Sequence, residues 1–211
     1  MKSAAFNQMI AQALTTPEPS VITYARRLKE AGLMATGARG RHAPEMTPLD
    51  AARITIAILT TDSPAECAER VRRFGQIKFS PEFKRSHRGF DTITPEHFAS
   101  LFEGETLEEV LAYMFALPAS VGLAASCKWF NQNVFHLRVS DFDVLAELFQ
   151  WKMEGGEIAG ELIVPFKGDP FAEGFTPIKG GVRTERSISS IQFSAIGFGL
   201  LHEENDKGEG A

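Results

Sequence analysis

The chain has few of the residues and none of the motifs by which many functions declare themselves. Its 211 residues include only two cysteines, Cys67 and Cys127, 60 positions apart. That spacing suits neither a disulfide framework nor a zinc site, and sparse cysteine fits a reducing cytoplasm. The five histidines, His42, His87, His97, His136 and His202, are scattered and form no HExxH pattern. GxSxG, Walker A and GxGxxG sequences are likewise missing. The paired acids, Glu108/Glu109 and Asp141/Asp143, read more simply as helix-start or turn residues. These absences weigh against an enzyme and lead us to expect no metal and no cofactor, although catalytic groups can converge from distant positions.

Long apolar runs are also scarce. The N-terminal MKSAAFNQMIAQALTT is too polar for a secretory signal, because Asn7, Gln8 and Gln12 interrupt it. Between Glu109 and Lys128 lie 18 uncharged residues, a length at the lower limit for a membrane span. Pro118, Ser120, Gly122 and Ser126 break that run, so a buried helix, a bend at Pro118 and a second short helix are expected instead, and no membrane partner.

What the chain does have is an uneven charge. The net charge is −5. Residues 1–90 carry 14 Lys/Arg against 8 Asp/Glu, a net +6, whereas residues 91–211 carry 8 against 19, a net −11. Such a division suggests a basic binding surface in one half and a partner-facing or solvating surface in the other, unless the charges segregate by chance.

Hydrophobic periodicity divides the chain the same way. Apolar residues at helical spacing mark 4–14 and about 20–31, the second stopped by Gly32, where a positive φ costs nothing. Thr47-Pro48-Leu49-Asp50 reads as an N-cap, a proline at the first helical position and an acid in the first turn. Asp62-Ser63-Pro64 starts a fourth helix in the same manner. Residues 76–93 are less regular. Their Lys84, Arg85 and Arg88 lie among Phe79, Phe83 and Phe90, a mixture suited either to single-stranded nucleic acid or to a linker whose aromatics pack on a neighbouring domain.

Thr94-Pro95-Glu96 and Glu105-Thr106 open two more helices. From Asn131 the period changes. Val134–Val139 alternates as a half-buried strand should, and 142–152 fits strand or helix. Gly155-Gly156 is a turn, 157–166 a strand and 167–181 a loop. A long strand is expected from Val182 to about Leu200, bent at Gly197 or Gly199. The acidic tail from His202 reads as disordered. The predicted fold class is therefore α+β. A helical, helix-turn-helix-like domain (1–75) would be joined by a basic, aromatic linker (76–93) to a small antiparallel sheet with helices (94–201), ending in the 202–211 tail.

The chemistry concentrates in Thr36-Gly-Ala-Arg-Gly-Arg-His-Ala-Pro44, a cationic loop between the second and third helices. Arg39-Gly40-Arg41 is similar to the core of an AT-hook, in which arginines enter a narrow A·T-rich minor groove and glycine lets the backbone approach. The flanking prolines of that motif are missing, and the same loop would also serve as a basic wing on phosphates. Arg26, Arg27, Lys29 and Arg53 are its nearest cationic neighbours by sequence, suited to phosphate contacts that give affinity without base specificity. His42 would join them when protonated.

The segment ARRLKEAGLMATGARGRHAPEMTPLDAARITIAIL resembles the N-terminal part of phage and prophage helix-turn-helix regulatory proteins over roughly residues 20–60. The likeness lies in the order helix, Ala-Gly-Leu, Gly/Arg-rich loop and Thr-Pro-capped helix. It implies a cytoplasmic transcription regulator that binds double-stranded DNA as a homodimer, the C-terminal half supplying dimerisation or a protein contact. A phage-type packaging or structural adaptor that forms a ring is the alternative, and an enzyme of unrecognised type a third.

Overall fold

The computed structural model describes residues 1–37, 44–82, 90–140, 145–168 and 185–205. Four helices come first: α1 (Ser3–Ala13), α2 (Glu18–Glu30), α3 (Pro48–Thr60) and α4 (Cys67–Gly75). Two short strands, β1 (Lys78–Phe79) and β2 (Asp91–Thr92), precede α5 (Pro95–Leu101), α6 (Leu107–Val121) and α7 (Leu123–Gln132). The chain then forms β3 (Asn133–Ser140), β4 (Leu145–Glu154), β5 (Glu157–Lys167), β6 (Glu185–Ser189) and α8 (Ser190–Asn205). The class is α+β, with helices preceding the sheet.

The helix starts sit where side chains can satisfy the first-turn N–H groups. Thr47 Oγ1 accepts from Asp50 N at 3.2 Å while Asp50 Oδ2 accepts from Thr47 N at 2.8 Å, closing a capping box on α3. Thr106 and Glu109 do the same for α6, and Thr94 accepts from His97 N at the start of α5. The end of α2 is a Schellman motif. Gly32 sits at φ +72°, its N–H donates to Lys29 O, and Leu33 N–H donates to Leu28 O.

The sheet runs β1-β5-β4-β3-β6, with β2 also beside β5. Every pairing is antiparallel except β2 with β5. In β3, Phe135, Leu137 and Val139 are buried while Val134, His136 and Arg138 are half-buried, the alternation read from the sequence. Residues 145–154, ambiguous by period, are a strand hydrogen-bonded on both sides. Gly155 and Gly156, at φ +61° and +88°, make the two-residue turn to β5, whose twist matches the flanking strands.

Besides the fourth helix, which starts at Cys67 with no side-chain cap rather than at Asp62-Ser63-Pro64, two expectations are corrected. The long strand from Val182 is instead the short β6 followed by helix α8. Its start carries a Ser-x-x-Gln signature, with Gln192 Oε1 accepting from both Ser189 N and Ser189 Oγ. Phe193 and Ile196 are fully buried at helical spacing, with Phe193 6.1 Å from Phe115 of α6. The glycines read as a strand bend are close helix contacts. A Cβ on Gly197 would lie 3.1 Å from Pro118 Cγ, and one on Gly199 2.5 Å from Met9 Cγ. Helix α8 also continues past the expected start of the tail at His202. Secondly, the buried helix and the short helix after it are both present, but the break between them lies four residues beyond the expected bend at Pro118. Helix α6 runs to Val121, and Gly122 (φ +84°) separates it from α7.

One hydrophobic cluster spans the expected boundaries. Ile54 and Ile56 of α3, Leu111 and Phe115 of α6, Phe135 of β3, Phe166 of β5 and Phe193 of α8 all belong to it. Phe79 and Phe90, read as linker aromatics, pack within the fold. Phe79 stacks on Phe98 at 4.1 Å, and Phe90 meets Phe149 and Trp151 edge-on. No helix among the described residues is long and apolar enough to cross a membrane.

Candidate nucleic-acid interface

Helix α2 buries Val21, Tyr24, Ala25 and Leu28, an i, i+3, i+4, i+7 stripe that fixes its orientation. The same periodicity turns Ile22, Arg26 and Arg27 outward. The Arg26 and Arg27 side chains are 64% and 48% exposed and share one carboxylate, Glu30, at 3.8 and 3.0 Å. Exposed pairs of this kind hold their partners weakly, so both guanidiniums can exchange Glu30 for a phosphate. Lys29 Nζ donates to Ser3 Oγ at 2.6 Å, tying α2 to the start of α1. All three cations also suit the negative end of the α2 dipole.

Helix α4 adds a cation that the sequence reading did not select. Arg72 is exposed and donates to the Ala31 carbonyl at 3.0 Å, which brings its charge to the end of α2. Its signal was local. The buried face of α4 carries Cys67, Arg70, Val71 and Phe74, and Arg72 lies off it, exposed. Cys67 reports the same proximity. Burial pushes its thiol pKa up, and the Arg27 charge partly opposes that rise.

Arg53 is held by an ion pair of its own. Its Nε and a terminal nitrogen donate to the two carboxylate oxygens of Glu108 at 3.0 and 3.3 Å, and its other terminal nitrogen donates to Leu33 O at 2.9 Å. Glu108 is buried and also accepts from Gln76 Nε2 at 2.7 Å. A Cβ on Gly75 would lie 2.8 Å from that carboxylate, so glycine makes room for it. The partner lies 55 residues along the chain, so sequence proximity to the basic loop does not reveal it.

Arg39, Gly40, Arg41 and His42 lie outside the described residues, as do Lys84, Arg85 and Arg88. The two ends of the 38–43 segment are defined. A Cβ on Gly37 would come within 2.9 Å of Pro44 Cδ, so the chain leaves and returns through a closed neck that only glycine permits at this approach. Ala35 N donates to Asp50 Oδ1 at 3.3 Å and Met46 N donates to Met1 O at 2.8 Å, fixing each side of the neck.

Beside the neck, a groove of about 360 Å³ runs between α1 and α2. Buried Asn7 and Ala25 form its floor, Ile22 a wall, and Arg26, Lys29 and Thr36 its rim. The paired acids of the sequence have structural roles. Glu108 holds Arg53, and Glu109, whose pKa is lowered chiefly by the Thr106 backbone N–H, caps α6. Asp141 and Asp143 lie outside the described residues. Cys67 and Cys127 are free thiols, and among the described residues no group of acids, histidines and cysteines is arranged to hold a metal. Comparisons with protein-family models, curated proteins and solved structures found no match.

Proposed function

We propose that the chain is a cytoplasmic nucleic-acid-binding regulator whose ligand is duplex DNA, gripped by the α2–α4 cationic face together with the 38–43 segment. The observation that carries this reading is the closed neck at Gly37 and Pro44 beside exposed Arg26. Six residues containing Arg39-Gly40-Arg41 start and finish at one point, and Thr36 just before it lines the same groove as Arg26. Phosphates along a strand would be met by that cluster, with Arg39 and Arg41 supplying groove or further phosphate contacts.

The test is binding of the full chain to duplex DNA across a salt series. Arg39→Ala/Arg41→Ala and Arg26→Ala/Arg27→Ala should each lower the slope of log K against log salt, by roughly 0.9 per lost phosphate contact. A slope unchanged in both double variants would remove the reading. Mixed-sequence and A·T-rich duplexes then separate phosphate grip from groove insertion.

Dimerisation through the sheet is part of the proposal. Among the described residues, β1 and β2 pair with the outer edge of β5 only at 162–163 and 166–167, so 157–161 has no strand outside it. An open edge of that kind accepts a second strand. A dimer in solution agrees with a regulator, whereas a ring of many subunits favours the packaging adaptor.

A further inference from the structure

We infer that the cavity between β1, α5 and the turn before α6 binds a free amino acid with an aromatic side chain. The ring lies on the apolar floor, the α-carboxylate meets Lys78 and the α-ammonium meets Glu105. This site is independent of the nucleic-acid reading above.

Two local patterns build the cavity. Helix α5 and its C-cap place Pro95, Phe98, Ala99 and Phe102 at i, i+3, i+4 and i+7, one face of a helix, and all four line the cavity. Across from them β1 pairs with the end of β5, and Phe79 N donates to Glu105 O at 3.0 Å. That bond sets Lys78 and Glu105 on adjacent backbones, and Gly104 at φ +90° turns the chain into the second. The rings are fixed before any ligand arrives. Phe79 stacks on Phe98 at 4.1 Å, Phe98 meets Phe166 at 6.2 Å, and Phe102 meets Phe135 at 5.9 Å. Walls held in this way lose little freedom on binding.

The floor and the rim together select the ligand. The cavity, at about 510 Å³, falls within the roughly 300–1,000 Å³ range of small-ligand sites. Its accessible apolar surface comes from half-buried Phe79 and from exposed Pro95 and Ala99, and an aromatic ring gains beyond its area by packing near other rings. The rim carries one charge of each sign. Lys78 Nζ and a Glu105 carboxylate oxygen are 3.2 Å apart, on side chains 68% and 76% exposed. A pair so open to water is weak, so each member can exchange the other for a ligand group. They are the only charged residues among the described lining. The nearby Glu109 carboxylate is engaged by the Glu105 and Thr106 N–H groups at 3.0 Å. A ligand with one charge satisfies one member of the pair and sets a like charge beside the other. A free amino acid carries both charges on one carbon, close enough together to meet both groups, whereas a residue inside a peptide chain carries neither.

The experiment titrates the full chain by calorimetry with L-phenylalanine, with phenethylamine, which lacks the carboxylate, and with 3-phenylpropanoate, which lacks the ammonium. L-Phenylalanine should bind with a Kd on the order of a millimolar, as suits a small ligand in an open cavity. Each half-ligand should bind about fivefold more weakly, the upper range for an exposed charge pair. Lys78→Met should erase the preference over phenethylamine, and Glu105→Gln the preference over 3-phenylpropanoate, each leaving the other preference in place. Ala99→Trp fills the floor from an exposed position and should abolish binding of all three probes, with thermal unfolding showing that the fold survives. No binding of L-phenylalanine at many times the expected Kd overturns the inference. So does a half-ligand that binds as tightly as the amino acid, or preferences that persist in both charge variants. No arm reads DNA binding, so failure of the nucleic-acid reading leaves these outcomes unchanged.

Discussion

Replacing Arg53 by methionine should unfold this protein more readily without loosening the hold on DNA proposed above. The substitution keeps the length and apolar stem of the side chain but leaves the Glu108 carboxylate, whose side chain is 8% exposed, without its cation. Breaking a buried pair from one side typically costs about 3–5 kcal/mol. Arg53 is itself 23% exposed and Gln76 still donates to Glu108, which argues for the lower end of that range. Leu33 O also loses its donor. For a chain of this size, a loss of about 3 kcal/mol corresponds to a melting temperature lower by roughly 6–12 °C. The double variant Arg53→Met/Glu108→Met removes both charges and should recover most of the loss, because apolar substitution of a whole buried pair is often neutral. The assays are thermal and urea unfolding of the three proteins, with DNA affinity measured across salt well below each midpoint. A melting temperature within about 2 °C of wild type, accompanied by a shallower salt slope, would refute the assignment and return Arg53 to the proposed DNA-binding face.

Two further substitutions test other parts of the structure. Gly104 sits at φ +90°, and a Cβ there would lie 2.4 Å from Glu109 Cβ. Gly104→Ala should therefore cost about 1–3 kcal/mol or more in backbone strain alone, and it should disturb the Glu109 carboxylate that accepts from Glu105 and Thr106 N–H at 3.0 Å; urea unfolding measures the loss. His136 is held below the usual imidazole pKa of 6.5, first by burial and then by the Arg138 charge. Between its folded pKa and 6.5 the unfolded chain binds the extra proton, so this group makes stability fall as pH drops through that window. Urea midpoints at about pH 7.5 and about pH 5.5 should differ less in His136→Gln than in the wild type, and equal differences would refute the contribution.

Legibility in the sequence followed the range of the interaction that decides each feature. The caps of α3, α5 and α6 depend on residues within one turn, and Thr47/Asp50, Thr94 and Thr106/Glu109 formed where the sequence placed them. The alternation of β3 and the Gly155-Gly156 turn are local in the same sense. The strand expected from Val182 is a strand over Glu185–Ser189, but from Ser190 the chain is helical: Ile, Phe and Gly suit a strand by composition, whereas the Ser189/Gln192 cap starts a helix. Gly197 and Gly199 looked like strand breaks when they are the places where α8 approaches Pro118 and Met9 closely.

The candidate site divides along the same line. Sequence alone determined that the first 90 residues are cationic, that α2 ends at Gly32 with Arg26, Arg27 and Lys29 in its last turns, and that an Arg-Gly-Arg segment follows. Only the tertiary structure decided which of those charges share a surface. It drew Arg53 inward to Glu108, brought Arg72 to the end of α2, closed the neck between Gly37 and Pro44, and set Asn7 at the floor of the groove. Helix periodicity fixes which way a side chain points relative to its own axis, but its partner is chosen by packing between elements far apart in the chain. No local pattern records that choice.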